Sequence, residues 1–555
     1  MQNHEWWTSA VIYQIYPRSF FDSNGDGIGD LAGVTQKLDH VASLGVDAIW
    51  LSPFFLSPMR DFGYDVADHC AVDPVFGTIE DFDRLLARAH ALGLKVLIDL
   101  VCGHTSTEHV WFRESRASRA NPREDWYVWR DARPDGTPPN NWLSVFGGSA
   151  WSWEPRRRQY YLHHFLQSQP SLDLRNPDVV DALVAAAGFW LARGVDGFRL
   201  DAVDFLLHDP MLRDNPPRPS AGAAPVKPFA LQHHVYDMMQ PERPLLLRRL
   251  RALADRHPGT VLLGEVSSQD GAYERIEGLT AGGDGLHMAY TLRPLRGNDA
   301  GAALRRALGE IAEAGEGGGL CWSFSNHDVE RAASRWNPGA AFGAAPDQGF
   351  AQLLAAMLLS LRGSVCIYQG EELGLSEAAL ALADLRDPFG IAYYPEFRGR
   401  DGSRTPMPWR AGEAHAGFTA GQPWLPVPAD HRAASIDAQE RDAQAPLQAW
   451  RRLIAWRKAH PALQEGDLAM LDLPAPLIGF TRSASAERLV IVFNPSDRAQ
   501  RLSLKGFAGL APLEDHGLAM LVEGDVALLP PYGMLLGELE AADAVGSDRL
   551  RVVAG

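Results

Sequence analysis

Three apolar, β-like runs of this chain, at residues 195–200, 261–263 and 320–324, each lead into a short polar string that carries an acid. The strings are Gly197-Phe198-Arg199-Leu200-Asp201, Gly264-Glu265-Val266 and Ser325-Asn326-His327-Asp328. Strands are read at residues 11–16, 48–51, 96–101, 197–200, 261–264, 286–290, 320–324 and 364–368, with helical patterns such as 81–92 and 179–193 between them. Eight strands alternating with helices predict an α/β fold, a (β/α)8 TIM barrel. Acids at the C-terminal ends of such strands gather on one rim, where these barrels keep their chemistry.

The chain has 555 residues, too many for one core. Two intervals are too long for plain crossovers. Residues 101–179 are rich in Trp, Pro and Gly without a clear helical period, which reads as a domain inserted after strand three. Residues 371–441 follow strand eight. The proline-rich segment 209–227 reads as a rigid loop on the rim. Beyond a helix near 447–458 the pattern turns to short alternating runs at 477–481, 488–494, 501–504 and 533–536, a small antiparallel β domain. The expected division is 1–103 and 175–465 for the barrel, 104–174 for the insertion, 466–540 for the C-terminal β domain and 541–555 for a polar tail.

Net charge is −17, which disfavours nucleic acid or an anionic membrane as partner and suits a neutral small molecule. The four cysteines form no CxxC pair, and three of them lie in apolar runs, so buried free thiols are expected. The longest apolar stretch, 351–361, is too short to span a bilayer. Residues 1–7 lack a basic segment followed by an apolar one, so no secretory signal is read there and a cytoplasmic location is the default expectation.

Arg199 and Asp201 stand two apart in a strand and so share one face. A guanidinium beside a carboxylate keeps it ionised, as a nucleophile requires. Glu265 follows an apolar approach that raises an acid's pKa and lets it donate a proton near neutral pH. His327 beside Asp328 offers a neutral donor next to a third carboxylate, suited to holding a distorting sugar ring. Together these residues point to glycoside hydrolysis. A structural Arg–Asp pair and a capping Glu are the plainer alternatives. His104 closes strand three and faces the same rim; its spacing from His109 fits no metal site.

A second feature lies near the N-terminus. Asp22-Ser23-Asn24-Gly25-Asp26-Gly27-Ile28-Gly29-Asp30 places oxygens at alternate positions around glycine turns, like half an EF-hand loop without its final Glu, and suits a hard cation. A polar turn between strand and helix is the alternative.

The three acid-bearing strings, in this order, resemble the α-amylase superfamily of retaining glycosidases. Further strings resemble its exo-acting α-glucosidase and oligo-1,6-glucosidase branch: residues 10–20 (Ala-Val-Ile-Tyr-Gln-Ile-Tyr-Pro-Arg-Ser-Phe), Asp61-Phe62-Gly63-Tyr64-Asp65, Phe146-Gly147-Gly148-Ser149-Ala150-Trp151, and Arg400-Asp401-Gly402-Ser403-Arg404-Thr405-Pro406-Met407. The resemblance implies Asp201 as nucleophile, Glu265 as acid/base and Asp328 as transition-state stabiliser. It implies that Asp61, Tyr64, His104, Arg199, His327 and Arg400 hold the terminal glucose between Phe146 and Phe165, with Asp61 and Arg400 closing the non-reducing side. It implies one structural Ca2+ or Mg2+ held by Asp22, Asn24, Asp26, the Ile28 carbonyl and Asp30, and no organic cofactor.

The chain also departs from the family. Gly103 stands where the family's first signature usually has Asn, which speaks against calcium between barrel and insertion. Gln169-Pro170-Ser171-Leu172-Asp173 replaces the branch's Gln-Pro-Asp-Leu-Asn. Ala202 replaces the Val of relatives that prefer α-1,6 links, so short α-1,4-linked glucosides are the expected substrates. A transglucosidase or isomerase would use the same acids. A non-catalytic partner with this fold would have lost them.

Overall fold

The structure, a computed structural model, describes residues 5–539 apart from 220, 221, 223, 224, 269, 293–296, 315–317, 338–340, 485, 486, 506, 508 and 515. The tail expected at 541–555 and part of the proline-rich segment therefore lie outside the described residues.

Eight parallel strands form the barrel: β1 (Val11–Ile15), β2 (Ala48–Leu51), β3 (Lys95–Leu100), β4 (Gly197–Leu200), β5 (Val261–Val266), β6 (Met288–Thr291), β7 (Cys321–Ser323) and β8 (Ser364–Tyr368). They pair in the order β6-β5-β4-β3-β2-β1-β8-β7, and a parallel bridge between Ala289 and Leu320 closes the ring. A helix follows each strand in turn: α1 (Leu31–Ser43), α2 (Ile79–Ala91), α3 (Pro177–Ala192), α4 (Leu245–Ala254), α5 (Ala272–Thr280), α6 (Ala300–Ala314), α7 (Gln348–Leu359) and α8 (Pro446–Ala459).

The local causes are legible. Helix α2 starts at a capping box, Thr78 with Asp81, and buries Phe82, Leu85, Leu86 and Ala89. Helix α3 starts with Asn176 as cap and Pro177 in its first turn. Every residue of β4 is buried, and Gly197 is needed there because a Cβ would strike the Val261 carbonyl of the neighbouring strand.

Between β3 and α3 the chain builds a three-stranded antiparallel sheet (Trp129–Arg130, Gln159–Leu162, Trp151–Glu154) over a small core of Val128, Trp142, Ala150, Trp151 and Leu162. Within this interval, read as having no clear helical period, Val110–Ser115 is helical, six residues long and too short to show a period. A hairpin of Phe55–Leu56 with Asp68–Val72 also escaped the sequence reading, because its strands are short and irregular in register. At the C-terminal end, five- and three-stranded antiparallel sheets enclose a core that includes Leu477, Val490, Val492, Leu502, Leu529 and Leu535. Asp467–Met470 and Leu521–Glu523 belong to these sheets but are largely exposed, so they carry little apolar signal. No described helix is long and apolar enough to cross a membrane. Cys102, Cys321 and Cys366 are buried free thiols, and Cys70 is half-buried.

Trp190 of α3 shows how the outer layer is locked. Its ring stacks on Phe55 at 5.1 Å and meets Phe82 edge-on at 4.9 Å, while its indole N–H donates to the His69 carbonyl at 2.7 Å. Trp190→Ala is expected to cost about 3–5 kcal/mol, read as a lowered denaturation midpoint in urea.

Candidate active site

Arg199 is wholly buried on β4 and lies level with Asp99 of β3 in the parallel register. Its Nη1 donates to Asp99 Oδ1 at 2.9 Å and to Asp201 Oδ1 at 2.7 Å. Its Nη2 donates to Glu265 Oε2 and, at 2.9 Å, to the Tyr290 hydroxyl. One guanidinium thus gathers three carboxylates from the ends of three adjacent strands. Burial alone would lower its pKa, but Asp99 and Glu265 outweigh burial and hold the charge firmly in place. The ring of Trp50 lies 4.9 Å beneath it, and the Trp50 N–H donates to Asp99 Oδ2 at 3.1 Å.

The acids around Arg199 are not equivalent. Burial raises Glu265 well above the carboxylate range, and the nearby Asp201 and Asp328 charges add to burial against the pull of Arg199. Asp328 goes the other way. Burial opposes ionisation there too, but His327 Nε2 at 3.2 Å from Oδ2, with Arg400 Nη1 at 3.1 Å and Arg404 Nη2 at 2.9 Å from Oδ1, holds its carboxyl below the usual range. Neighbouring acids pushed apart in this way can take different protonation states at one pH.

His327 is neutral: burial lowers its pKa to about 3. Gln14 Nε2 is 2.8 Å from its Nδ1 and can only donate, so Nδ1 accepts and Nε2 carries the proton. That N–H faces the Tyr64 hydroxyl at 2.7 Å and Asp328 Oδ2 at 3.2 Å. Tyr64 stacks on the imidazole at 5.4 Å and donates to Asp99 Oδ2 at 3.2 Å.

A second ionic cluster closes one side. Arg400 Nη2 reaches Asp61 Oδ1 at 2.8 Å and Asp387 Oδ1 at 2.7 Å, and its Nη1 bonds Asp328. Its guanidinium lies 5.2 Å from the centre of the Phe146 ring, which packs on Phe389 at 4.8 Å. Gln169 Nε2 donates to Asp61 Oδ2 at 3.0 Å and contacts His104 Nε2 at 3.2 Å. Phe165 packs on the His104 ring at 5.2 Å. Asp61, Tyr64, His104, Phe146, Phe165, Arg199, His327 and Arg400 therefore belong to one connected network with Asp201, Glu265 and Asp328.

Gln14, Asp99, Gln169, Tyr290, Asp387 and Arg404 belong to it as well and were given no role from sequence. Asp99 had a usable signal, since it is an acid next to the end of an otherwise apolar strand. Arg404 stands inside a string already singled out. Asp387 comes from an irregular segment and gave none.

The loop at residues 22–30 stands apart from this network. Among the described residues no three His, Cys, Asp or Glu side chains converge as a metal site. Asp22 Oδ1 accepts the Asn24 and Gly25 N–H groups at 3.0 and 2.7 Å, and Asp26 Oδ1 accepts that of Ile28 at 2.8 Å. Asp30 caps α1 by accepting from Gly33 N–H at 2.6 Å. The loop is a run of side-chain turns feeding a helix. Asp22 and Asp30 are nevertheless buried, with no described cation in ion-pair range, so their charge is answered by N–H and O–H donors alone.

Ala202, beside Asp201, has φ 41° and ψ 55°, a left-handed conformation, and its N–H lies 3.4 Å from Glu265 Oε2. A β-branched side chain is strained there. Ala202→Val is expected to cost of order 1–3 kcal/mol, whatever it does to linkage preference. Ala202→Gly should cost nothing or stabilise. Thermal unfolding of the two variants checks this.

Comparison with known proteins adds to the geometry. Residues 14–466 match the family model described as the alpha amylase catalytic domain. A probable alpha-glucosidase of Rhizobium meliloti (strain 1021) is 51% identical over 545 residues, covering 97% of this chain and 98% of its own. An oligo-1,6-glucosidase of Heyndrickxia coagulans is 36% identical over 536 residues, covering 89% and 92%. The crystal structure of the alpha-glucosyl transfer enzyme XgtA superposes with a TM-score of 0.93 at 50% identity, over 97% of this chain and 100% of that one. A closed eightfold barrel with three acids on its rim and a family match over most of its length have one reading: the chain belongs to the α-amylase family of glycoside hydrolases.

Proposed function

We propose that this enzyme is a retaining, exo-acting α-glucosidase that releases α-glucose from the non-reducing end of short, neutral α-glucosides. The observation that carries the reading is the single Arg199 guanidinium bonded to both Asp201 and Glu265. It keeps the two carboxyl groups close, whereas an inverting pair stands wider to admit a water between acid and base. Glu265, held protonated, donates its proton to the glycosidic oxygen as the bond to the leaving group breaks. Asp201, hydrogen-bonded to Arg199, bonds to the anomeric carbon through its carboxylate and forms a β-glucosyl ester. Glu265 then takes a proton from water, the water oxygen bonds to the anomeric carbon, and the ester bond returns its electrons to Asp201. Asp328 and His327 are assigned to the sugar hydroxyls, where their hold tightens as the ring flattens. Asp61, Arg400 and Asp387 support exo action, because a buried ionic cluster leaves no room for a further sugar on that side.

Transfer to a sugar hydroxyl in place of water is the second reading. It is favoured by the apolar cluster beside Asp201, in which Ala202, Phe205 and Met238 pack with Phe165 and Phe229. A water-poor acceptor side gives a bound hydroxyl the advantage. The similarity to an α-glucosyl transfer enzyme points the same way. A cytoplasmic location is part of the proposal and rests on the four free thiols.

We further propose that the loop at residues 22–30 takes one hard cation, Ca2+ or Mg2+, through Asp22, Asn24, Asp26, the Ile28 carbonyl and Asp30. The support is the alternate spacing of oxygens and the buried charge of Asp22 and Asp30 without a paired cation. Such an ion would brace the entry to α1 and take no part in the reaction.

Three outcomes are expected. NMR of the first product should show α-glucose before mutarotation, and Asp201→Asn should lower turnover roughly 10³-fold or more with the fold retained. β-Glucose first, or near-normal hydrolysis by the variant, would overturn the mechanism. The acid must be protonated to act, so kcat/KM should fall as pH rises through the raised pKa of Glu265, above the pH at which an ordinary carboxyl would lose its proton. Glu265→Gln should remove that alkaline limb. Chelation should lower the melting temperature and leave KM unchanged; a melting curve indifferent to chelator and to added Ca2+ or Mg2+ would count against the cation.

A further inference from the structure

Outside the catalytic network, a cavity of about 790 Å³ opens between the outer face of α3, the hairpin at residues 55–72 and the short helix Val110–Ser115. Its volume falls within the range of small-molecule sites. One wall is the stretch Ala182, Ala185 and Ala186 of α3, whose small side chains leave the space open. Facing them is Trp111, half-buried and held rigidly. Its ring lies 4.3 Å from His109, stacks on His69 at 5.7 Å and meets Trp126 edge-on at 5.0 Å. A fixed aromatic face beside small residues suits the C–H face of a ring.

The polar groups select the ligand's charge. Burial lowers the pKa of His69 to about 4 and of His109 to about 2, so both imidazoles are neutral. Asp68 and Glu108 offer carboxylates against Arg113 alone among the lining residues, with the Ser57 hydroxyl nearby. Arg60, outside the lining, pairs with Glu108 at 3.1 Å. A phosphate or carboxylate ligand would meet two carboxylates against one guanidinium on the lining itself, whereas hydroxyl groups find both acceptors and donors.

We infer that this cavity is a second carbohydrate site, taking a neutral saccharide of one or two rings on Trp111. The inference does not rest on the hydrolytic reading of the active site. The wall residues Glu108, His109 and Trp111 follow His104 closely along the chain. His109 N–H bonds the Ser106 carbonyl at 3.1 Å, and Ser106 N–H bonds that of Val66 at 2.7 Å, so an occupant would brace the segment that carries His104.

The experiment is calorimetric titration of full-length Asp201→Asn, chosen for its expected loss of turnover of roughly 10³-fold or more, using maltose as probe. Two sites per chain are expected. Adding Ala185→Trp, an exposed helix position whose new side chain fills the cavity, should remove one site and leave the other unchanged. Adding Trp111→Ala should do the same; Ala185→Trp decides alone if that variant fails to fold. Glucose 6-phosphate should not compete at the site lost in these variants. If Ala185→Trp leaves the stoichiometry unchanged, or if the phosphate competes as well as maltose, the inference is overturned. If a single site remains in Asp201→Asn and Ala185→Trp abolishes it, the cavity reading stands and the proposed active-site reading fails.

Discussion

The buried guanidinium of Arg199 is the constraint around which the site is organised. A charge with no access to water is tolerated only where its donors meet acceptors and its charge meets opposite charge. Asp99, Asp201, Glu265 and Tyr290 supply both. Asp99 lies level with Arg199, and Glu265 lies level with Tyr290 two residues further toward the rim, so the strand register that closes the barrel is also what completes the network. Barrel and site are therefore not separable: a slip of one strand would leave the charge uncompensated.

Arg199 sets one end of an electrostatic gradient and the Arg400–Arg404 pair sets the other. Three acids share Arg199, and it does not offset burial for all of them: Glu265 is raised well above its ordinary value and Asp99 is pushed up to about 7. Two arginines converge on Asp328 and keep it charged. The neutral His327 lies between, its tautomer fixed by Gln14. Two buried carboxylates on one rim are thus shifted in opposite directions, because burial and like charges prevail at Glu265 and the surrounding donors prevail at Asp328.

The loops after β3 and β8 supply what the barrel cannot. Phe146 and Phe165 come from the insertion, and Asp387, Arg400 and Arg404 from the long segment after β8. The Phe146 ring lies over Arg400 and against Phe389, so the two excursions meet across the mouth. The ionic cluster of Asp61, Arg400 and Asp387 closes the pocket from outside the strands. This division leaves the reacting acids on rigid strands and the shape of the pocket to the connections.

The sequence by itself determined the alternation of strands and helices and the acids that end β4, β5 and the segment after β7. Those signals are local, carried by apolar runs and by residues one or two positions apart. It also determined that Arg199 and Asp201 share a face, because strand geometry repeats every two residues. It could not bring Asp99 to Arg199, Gln14 to His327 or Asp387 to Arg400, since each pair is joined only by packing between distant elements. The oxygens of residues 22–30 alternate along the chain, and the hydrogen bonds of the fold set them around the entry to a helix. The apolar approach to Glu265 already pointed to a raised pKa, but only the tertiary structure decided that Asp99 is raised and Asp328 lowered. Burial and the sharing of counter-charges are properties of the closed barrel, and no spacing along the chain encodes them.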